Sequence, residues 1–199
     1  MISALILAAG FSRRMRGRDK LLEAVNGYPC IKVLADRANQ ADLNVYIVIP
    51  NLKHPRALAV QDYNLIVSEN TKLGMAHSLK AGILGLPEEV TAVIVLLGDM
   101  PEITTNDLLS IIRTYRISNK FIVQATTSDG TPGHPVLFSR KYFGELTRLS
   151  GDRGAWKVIE RHKDDQVFVP LPEQHAKIDL DTPEDWKQWK ASQIKRLDR

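Results

Sequence analysis

The residues best equipped for chemistry sit in one short run. Five cations fall within eight positions: Arg13, Arg14, Arg16, Arg18 and Lys20. Directly before them stand the small residues Ala8, Ala9 and Gly10. Small residues let another group approach the backbone, and glycine reaches backbone angles that other residues avoid. Loop N–H groups donate hydrogen bonds to phosphate oxygens, while Arg and Lys neutralise their charge. The stretch therefore suits a polyphosphate. Carboxylates recur at two further places. Asp99 follows a strongly apolar run inside Gly98-Asp99-Met100-Pro101, and Asp179 and Asp181 stand two apart. Mg2+ on nucleotide phosphates takes one or two protein carboxylates and keeps several waters. Residues two apart on a strand face the same side, so Asp179, Asp181 or both could complete such a site.

Other chemistries fit less well. The dinucleotide fingerprint G-x-G-x-x-G and the P-loop pattern G-x-x-x-x-G-K-[ST] are both absent. The basic run also fits a nucleic-acid patch or a solvated surface, yet no aromatic residue interleaves with its cations to stack on bases. Asp99 would equally cap a helix, and Asp181 would equally serve a turn. No Ser–His–Asp or Cys–His set stands out.

These residues need elements to hold them. Residues 2–7 form a short branched apolar run ending at Leu7, which predicts a buried strand leading into the cationic loop. Residues 45–49, 65–67, 92–97, 121–125, 135–138, 167–169 and 177–180 predict further strands. Apolar spacing predicts helices over 29–41, 55–63, 74–84, 104–117, 141–149 and 153–161, with Met75, Leu79 and Ile83 on one buried face. Asp181-Thr182-Pro183-Glu184-Asp185 announces a last helix capped by Thr182. Trp186 and Trp189 share its docking face, and the polar tail from Lys190 is expected to fray. Alternating strands and helices predict an α/β fold, a mostly parallel sheet with helices on both faces. Ligands of such sheets bind beyond the carboxyl ends of the strands.

The chain has 199 residues, 44% apolar and 25% charged, with a net charge of +4. It reads as one domain, 1–199, with a mild preference for anions. The single cysteine, Cys30, allows neither an internal disulfide nor a Cys-based metal site and reads as a small buried hydrophobe. No stretch is long and apolar enough for a membrane helix. The basic residues follow the first apolar run instead of preceding it, the wrong order for a secretory signal. A cytoplasmic protein with no nucleic-acid or membrane partner is the expectation.

Leu7-Ala8-Ala9-Gly10-Phe11-Ser12-Arg13-Arg14-Met15, followed by Lys20-Leu21-Leu22, resembles the L-A-A-G-x-S-x-R-M…K-L-L signature of the MobA-like nucleotidyltransferases, nearest to their molybdenum cofactor cytidylyltransferase branch. Gly98-Asp99-Met100-Pro101, Gly133-His134-Pro135 and Asp179-Leu180-Asp181-Thr182-Pro183 resemble further motifs of the family, in order along the chain. The resemblance implies a three-layer Rossmann-like nucleotidyltransferase fold. It implies that Leu7, Ala8, Ala9, Gly10, Ser12 and Gly98 line a nucleotide site, with Arg14, Lys20 and Asp99 as the catalytic set. Asn70, Gly74 and Ser78 would hold base and ribose, and His134 would lie on the acceptor side. Asp99 with Asp179 or Asp181 would hold Mg2+. The implied reaction transfers CMP from CTP to molybdopterin, and Ala9 favours CTP over GTP by crowding a purine. A sugar or polyol phosphate acceptor, or a cofactor carrier serving an apo-molybdoenzyme client, are the alternatives. Two departures stand out: Arg16 occupies the usual glycine position after Arg-Met, and Trp156 stands where the family usually has Arg.

Overall fold

Strand β1 (Ile2–Leu7) receives neighbours on both edges, β4 (Asn44–Ile49) and β6 (Ala92–Leu97), both parallel to it. In the computed structural model, which describes residues 1–69, 74–151 and 154–197, these strands belong to a seven-stranded sheet. Adding β5 (Asn64–Val67), β7 (Ile122–Thr126), β8 (Pro132–Ser139) and β9 (Gln166–Pro170), its order is β5-β4-β1-β6-β8-β7-β9. Only β8 opposes the common direction, pairing antiparallel with both β6 and β7. Its connection to β7 is a short turn through Gly130, at φ +85°, and a short link can only fold the chain back beside itself.

Alternation along β1 explains the layers. Ala4, Ile6 and Ala8 point to one face, where Ile31, Leu34 and Ala38 of α1 (Cys30–Gln40) and Leu108 and Ile111 of α4 (Thr105–Ile117) cover them. Leu5 and Ala9 point to the other. There Leu79 and Ile83 of α3 (Met75–Leu84), Leu146 of α5 (Phe143–Leu146) and Val158 and Ile159 of α6 (Trp156–Arg161) close the second core. The three-layer expectation holds. Among the described residues no helix is long and apolar enough to cross a membrane.

Several local features differ from expectation. Residues 24–29 form a small hairpin, β2 (Ala24–Val25) and β3 (Tyr28–Pro29). Its turn is Asn26-Gly27, both with positive φ, the pairing that a tight hairpin favours. Residues 177–180 form no strand, and a single bond from Leu180 N–H to the Asp99 carbonyl, 3.4 Å, ties them to the sheet edge. Of the helix expected at 141–149, only a 3₁₀ turn (Arg140–Tyr142) and α5 form. The tail is helical: α7 (Pro183–Leu197) continues past Lys190, which donates to Glu23 at 3.0 Å. Gln193 and Trp189 both donate to Glu102, at 2.7 and 2.6 Å. The helix predicted over 55–63 shortens to α2 (Pro55–Ala59).

A third, smaller cluster fixes the C-terminal segment. Met15, Val25, Cys30, Leu180 and Trp186 pack together, with Ile178 and Trp189 against them. Ile178 and Leu180 thus face the cluster, leaving Asp179 and Asp181 to face the opposite side. Thr182 caps α7 reciprocally with Asp185, at 3.1 and 2.8 Å. The Trp186 indole is 1% exposed and donates to the Leu180 carbonyl at 3.2 Å. Replacing Trp186 with Ala should lower unfolding stability by about 3–5 kcal/mol, the usual cost of deleting a buried aromatic, as read by urea denaturation.

Candidate active site

The register of β1 and β6 sets the site. Leu7 lies opposite Leu97, so the two chain exits stand side by side, and Gly98 N–H donates to the Leu7 carbonyl at 3.2 Å. Beyond these ends opens a cavity of about 470 Å³. Leu7, Ala9, Gly10, Arg14, Lys20, Gly74, Ser78, Gly98, Asp99, Asp179 and Asp181 line it. Arg13, Phe11 and Met75 line it as well. Met75, expected in the core, is instead 41% exposed because it begins α3 at the cavity wall, whereas Leu79 is buried as expected. Asn70 lies outside the described residues, as do Asp152 and Arg153.

The loop reaches this wall by an irregular path. A 3₁₀ turn over Arg13–Met15 ends at Arg16, which takes a left-handed conformation, φ 51°, followed by Gly17 at φ 86°. Asp19 caps a second 3₁₀ turn, Lys20–Leu22, by accepting from Leu21 N–H at 3.0 Å. Ala8 and Ser12 do not line the cavity. The Ser12 hydroxyl turns inward, accepting from Lys20 N–H at 3.1 Å and donating to Asp19 at 3.2 Å. Besides Phe11 and Met75 at the wall, sequence reasoning missed Arg56. It reads as an ordinary residue of a short helix, yet it is 2% exposed and bonded to this loop. Nothing local in the sequence marks it, because its partners lie far away along the chain.

Charge is balanced within the cavity. The Lys20 ammonium bridges Asp99 and Asp181, at 2.7 Å from the latter, and Arg14 also pairs with Asp181. Burial alone would lower the Lys20 pKa, but the Asp99 and Asp181 carboxylates raise it above its ordinary value, so Lys20 stays cationic. Asp179 is pushed above the usual carboxylate range by burial and then by the charges of Asp99 and Asp181. Asp99 and Asp181 are thus held together by Lys20 and Arg14, with Asp179 crowded beside them. A polyanion entering here would compete with Asp181 for Arg14 and Lys20, leaving the carboxylates in need of another cation.

That donor set suits a hard divalent ion brought with phosphates. Among the described residues no group of three or more His, Cys, Asp or Glu could hold a metal by itself. One or two carboxylates, the remaining positions filled by phosphate oxygens and water, is how Mg2+ is usually bound with nucleotides. Asp99, 7% exposed, and either Asp179 or Asp181 meet that requirement.

His134 lies beside this cavity and not in it. It lines an adjoining pocket of about 200 Å³ with Met75, Gln124, Val136 and Trp156. Its backbone N–H donates to the Ala176 carbonyl at 2.8 Å, and its buried Nδ1 has no hydrogen-bond partner among the described residues. The neighbouring Gly133 packs so closely on Ala176 that a Cβ there would collide with the Ala176 carbonyl. Leu7 and Met75 are shared by both cavities, and Trp156 stands half-exposed at the rim of the smaller one.

The chain is similar to several known proteins. The family described as the MobA-like NTP transferase domain matches residues 4–167. A probable molybdenum cofactor guanylyltransferase of Pyrococcus horikoshii is 34% identical over 153 residues, covering 75% of this chain and 73% of that protein. The bifunctional protein GlmU of Desulfotalea psychrophila is 27% identical over 166 residues, 82% of this chain. This chain spans about half the length of that GlmU, 49%. Among solved structures, Rv0371c of Mycobacterium tuberculosis superposes with a TM-score of 0.80 at 28% identity, covering 94% of this chain and 95% of that one. The same protein has also been solved in complex with manganese, at a TM-score of 0.76 and 26% identity.

Burial lowers the His134 pKa below its ordinary value, against the opposing pull of Asp99 and the Val95 backbone. The native state therefore resists a proton that the unfolded chain accepts near pH 6.5. Stability should hold above that pH and decline as pH falls from there toward the depressed native value. Urea denaturation at pH 8 and pH 5.5 should show this loss, and His134→Gln should remove part of the slope.

Proposed function

The chain belongs to the MobA-like NTP transferase family and is a nucleotidyltransferase, and from that premise we propose that it transfers CMP from CTP to molybdopterin. The best support is the meeting of Lys20 with Asp99 and Asp181 at the cavity beyond β1 and β6. In the proposed reaction a phosphate oxygen of the acceptor attacks the α-phosphorus of CTP. The new O–P bond forms in line as the bond to the β-phosphate oxygen breaks, and pyrophosphate leaves with that electron pair. A phosphate monoester has its second pKa near about 6, so the nucleophile is already anionic at neutral pH. The site then needs no general base, which fits the scarcity of candidates for one.

Arg14 and Lys20 exchange carboxylate partners for phosphate oxygens and hold the leaving pyrophosphate. N–H groups of Ala9 and Gly10 provide donors at the same edge, whereas the Ala8 N–H is already bonded to the Val48 carbonyl at 2.9 Å. Asp99, with Asp179 or Asp181, would hold Mg2+, whose chemistry there is to offset phosphate charge as the transition state forms. Gly74 and Ser78, on the same wall, contact ribose and base. Positioning and charge neutralisation supply most of the rate in such a reaction. The acceptor takes the adjoining pocket, where Trp156 offers a ring face and His134 Nδ1 a buried acceptor.

Ala9, 1% exposed at the cavity wall, supports the pyrimidine nucleotide by occupying space a purine would use. GTP is the second reading, supported by the guanylyltransferase from Pyrococcus horikoshii. Pyrophosphate release with purified molybdenum cofactor should be faster with CTP than with GTP, and the reverse order would favour the second reading. Ala9→Gly should shift the CTP-to-GTP ratio of kcat/KM toward GTP by about tenfold, the scale of one methyl in a pocket. Asp99→Ala should lower kcat by about 100-fold or more while the protein remains folded, because charge compensation at the reacting phosphate is lost.

A further inference from the structure

Arg56 comes from α2, in the βα unit beyond β4, and enters the loop that follows β1 from behind. Its guanidinium has five N–H donors, and each meets an acceptor of that loop. Nε donates to Asp19 at 2.7 Å, and Nη2 to the other Asp19 oxygen at 2.8 Å and to Ser12 Oγ at 3.1 Å. Nη1 donates to the Ala8 carbonyl at 2.5 Å and the Gly10 carbonyl at 2.8 Å. Ser12 Oγ is saturated in turn, since it also accepts from Lys20 N–H and donates to Asp19. One side chain thus joins the entrance of the loop, at Ala8 to Ser12, to its exit at Asp19. The His54 ring accepts from Arg56 N–H at 3.3 Å and orients the first turn of α2.

We infer that Arg56 is a positioning residue for nucleotide binding, a buried clamp that sets the distance between the loop backbone and Lys20. The inference rests on the reading of this loop as a triphosphate site. Carbonyls Ala8 and Gly10 are turned toward Arg56, which directs carbonyl dipoles away from the cavity where phosphates would sit. Asp19, bonded at both oxygens, fixes the backbone immediately before Lys20. Burial raises the Asp19 pKa, but the bonds and charge of Arg56 outweigh it and hold the carboxyl below its ordinary value. Lysine has three donors on a point charge and lacks the planar fork, so it cannot serve five acceptors.

The test compares wild type, Arg56→Lys, Arg56→Ala and Asp19→Asn for CTP and GTP binding by calorimetry with Mg2+, with thermal unfolding as a check of folding. Steady-state kinetics with molybdenum cofactor separate the nucleotide KM from the acceptor KM. The expected result is a nucleotide affinity weakened by about 10- to 100-fold, the scale of a small misplacement in a binding constellation, with acceptor KM unchanged. Low-millimolar guanidinium should restore nucleotide binding to Arg56→Ala, and sodium at equal ionic strength should not. Asp19→Asn, which keeps the shape of the clamp, should show the same nucleotide-specific loss even where Arg56→Ala does not fold. Folded Arg56→Lys and Asp19→Asn proteins that bind nucleotide like wild type would overturn the inference alone. A wild-type protein that binds neither nucleotide would overturn the reading beneath it, and the inference with it.

Discussion

The structure depends on one cation shared by two acids. Lys20 comes from the first loop, Asp99 from the end of β6, and Asp181 from the segment before α7. Nothing in the local sequence joins these three places. They meet because β1 and β6 are register partners, and because Leu180 bonds to the Asp99 backbone while its side chain sinks into the Met15–Trp186 cluster. Two carboxylates this close repel each other in a partly buried site, and an ammonium between them removes that cost. The contact therefore closes the fold at the same point where it arms the site. A helix that would otherwise be a C-terminal appendage becomes part of the cavity wall.

The two cavities adjoin and share Leu7 and Met75 as lining residues. The larger is charged and balanced, three cations against three carboxylates among its lining residues. The smaller is largely apolar, with Gln124 and His134 as its polar side chains. A charged reagent and a flatter, less charged one could lie side by side with their reactive ends meeting at that shared wall. The antiparallel strand β8 makes this possible, since its start carries His134 to the same end of the sheet where parallel strands finish.

Much of this was legible from residues alone, because the signals were local. The β1 strand, the small residues after it, the cationic run, Asp99 after an apolar strand and the Thr182 cap each occupy a few adjacent positions. The departures have physical causes of two kinds. Some signals were present and were outweighed: Asn26-Gly27 is a hairpin turn within a stretch too short to read as strands. Alternation of Ile178 and Leu180 with Asp179 and Asp181 was real, but the segment pairs through a single bond and forms no ladder. Others had no local signal. The direction of β8 follows from a turn length, and Met75 is exposed only because α3 begins at the cavity. Arg56 acts through partners 37 to 48 residues away in sequence. Packing and long-range bonds decide such cases, and periodicity does not record them.

The contact of Gly133 with Ala176 carries a consequence for how this scaffold can diversify. Two backbones pressed together without room for a methyl form a rigid seam, and the first residues of β8 have little room to shift. Variation must instead come from side chains that line the smaller cavity, Trp156 and Met75 above all, both about half-exposed. An inflexible floor with an adaptable rim lets the pocket's mouth change shape while the strand that floors it stays in place.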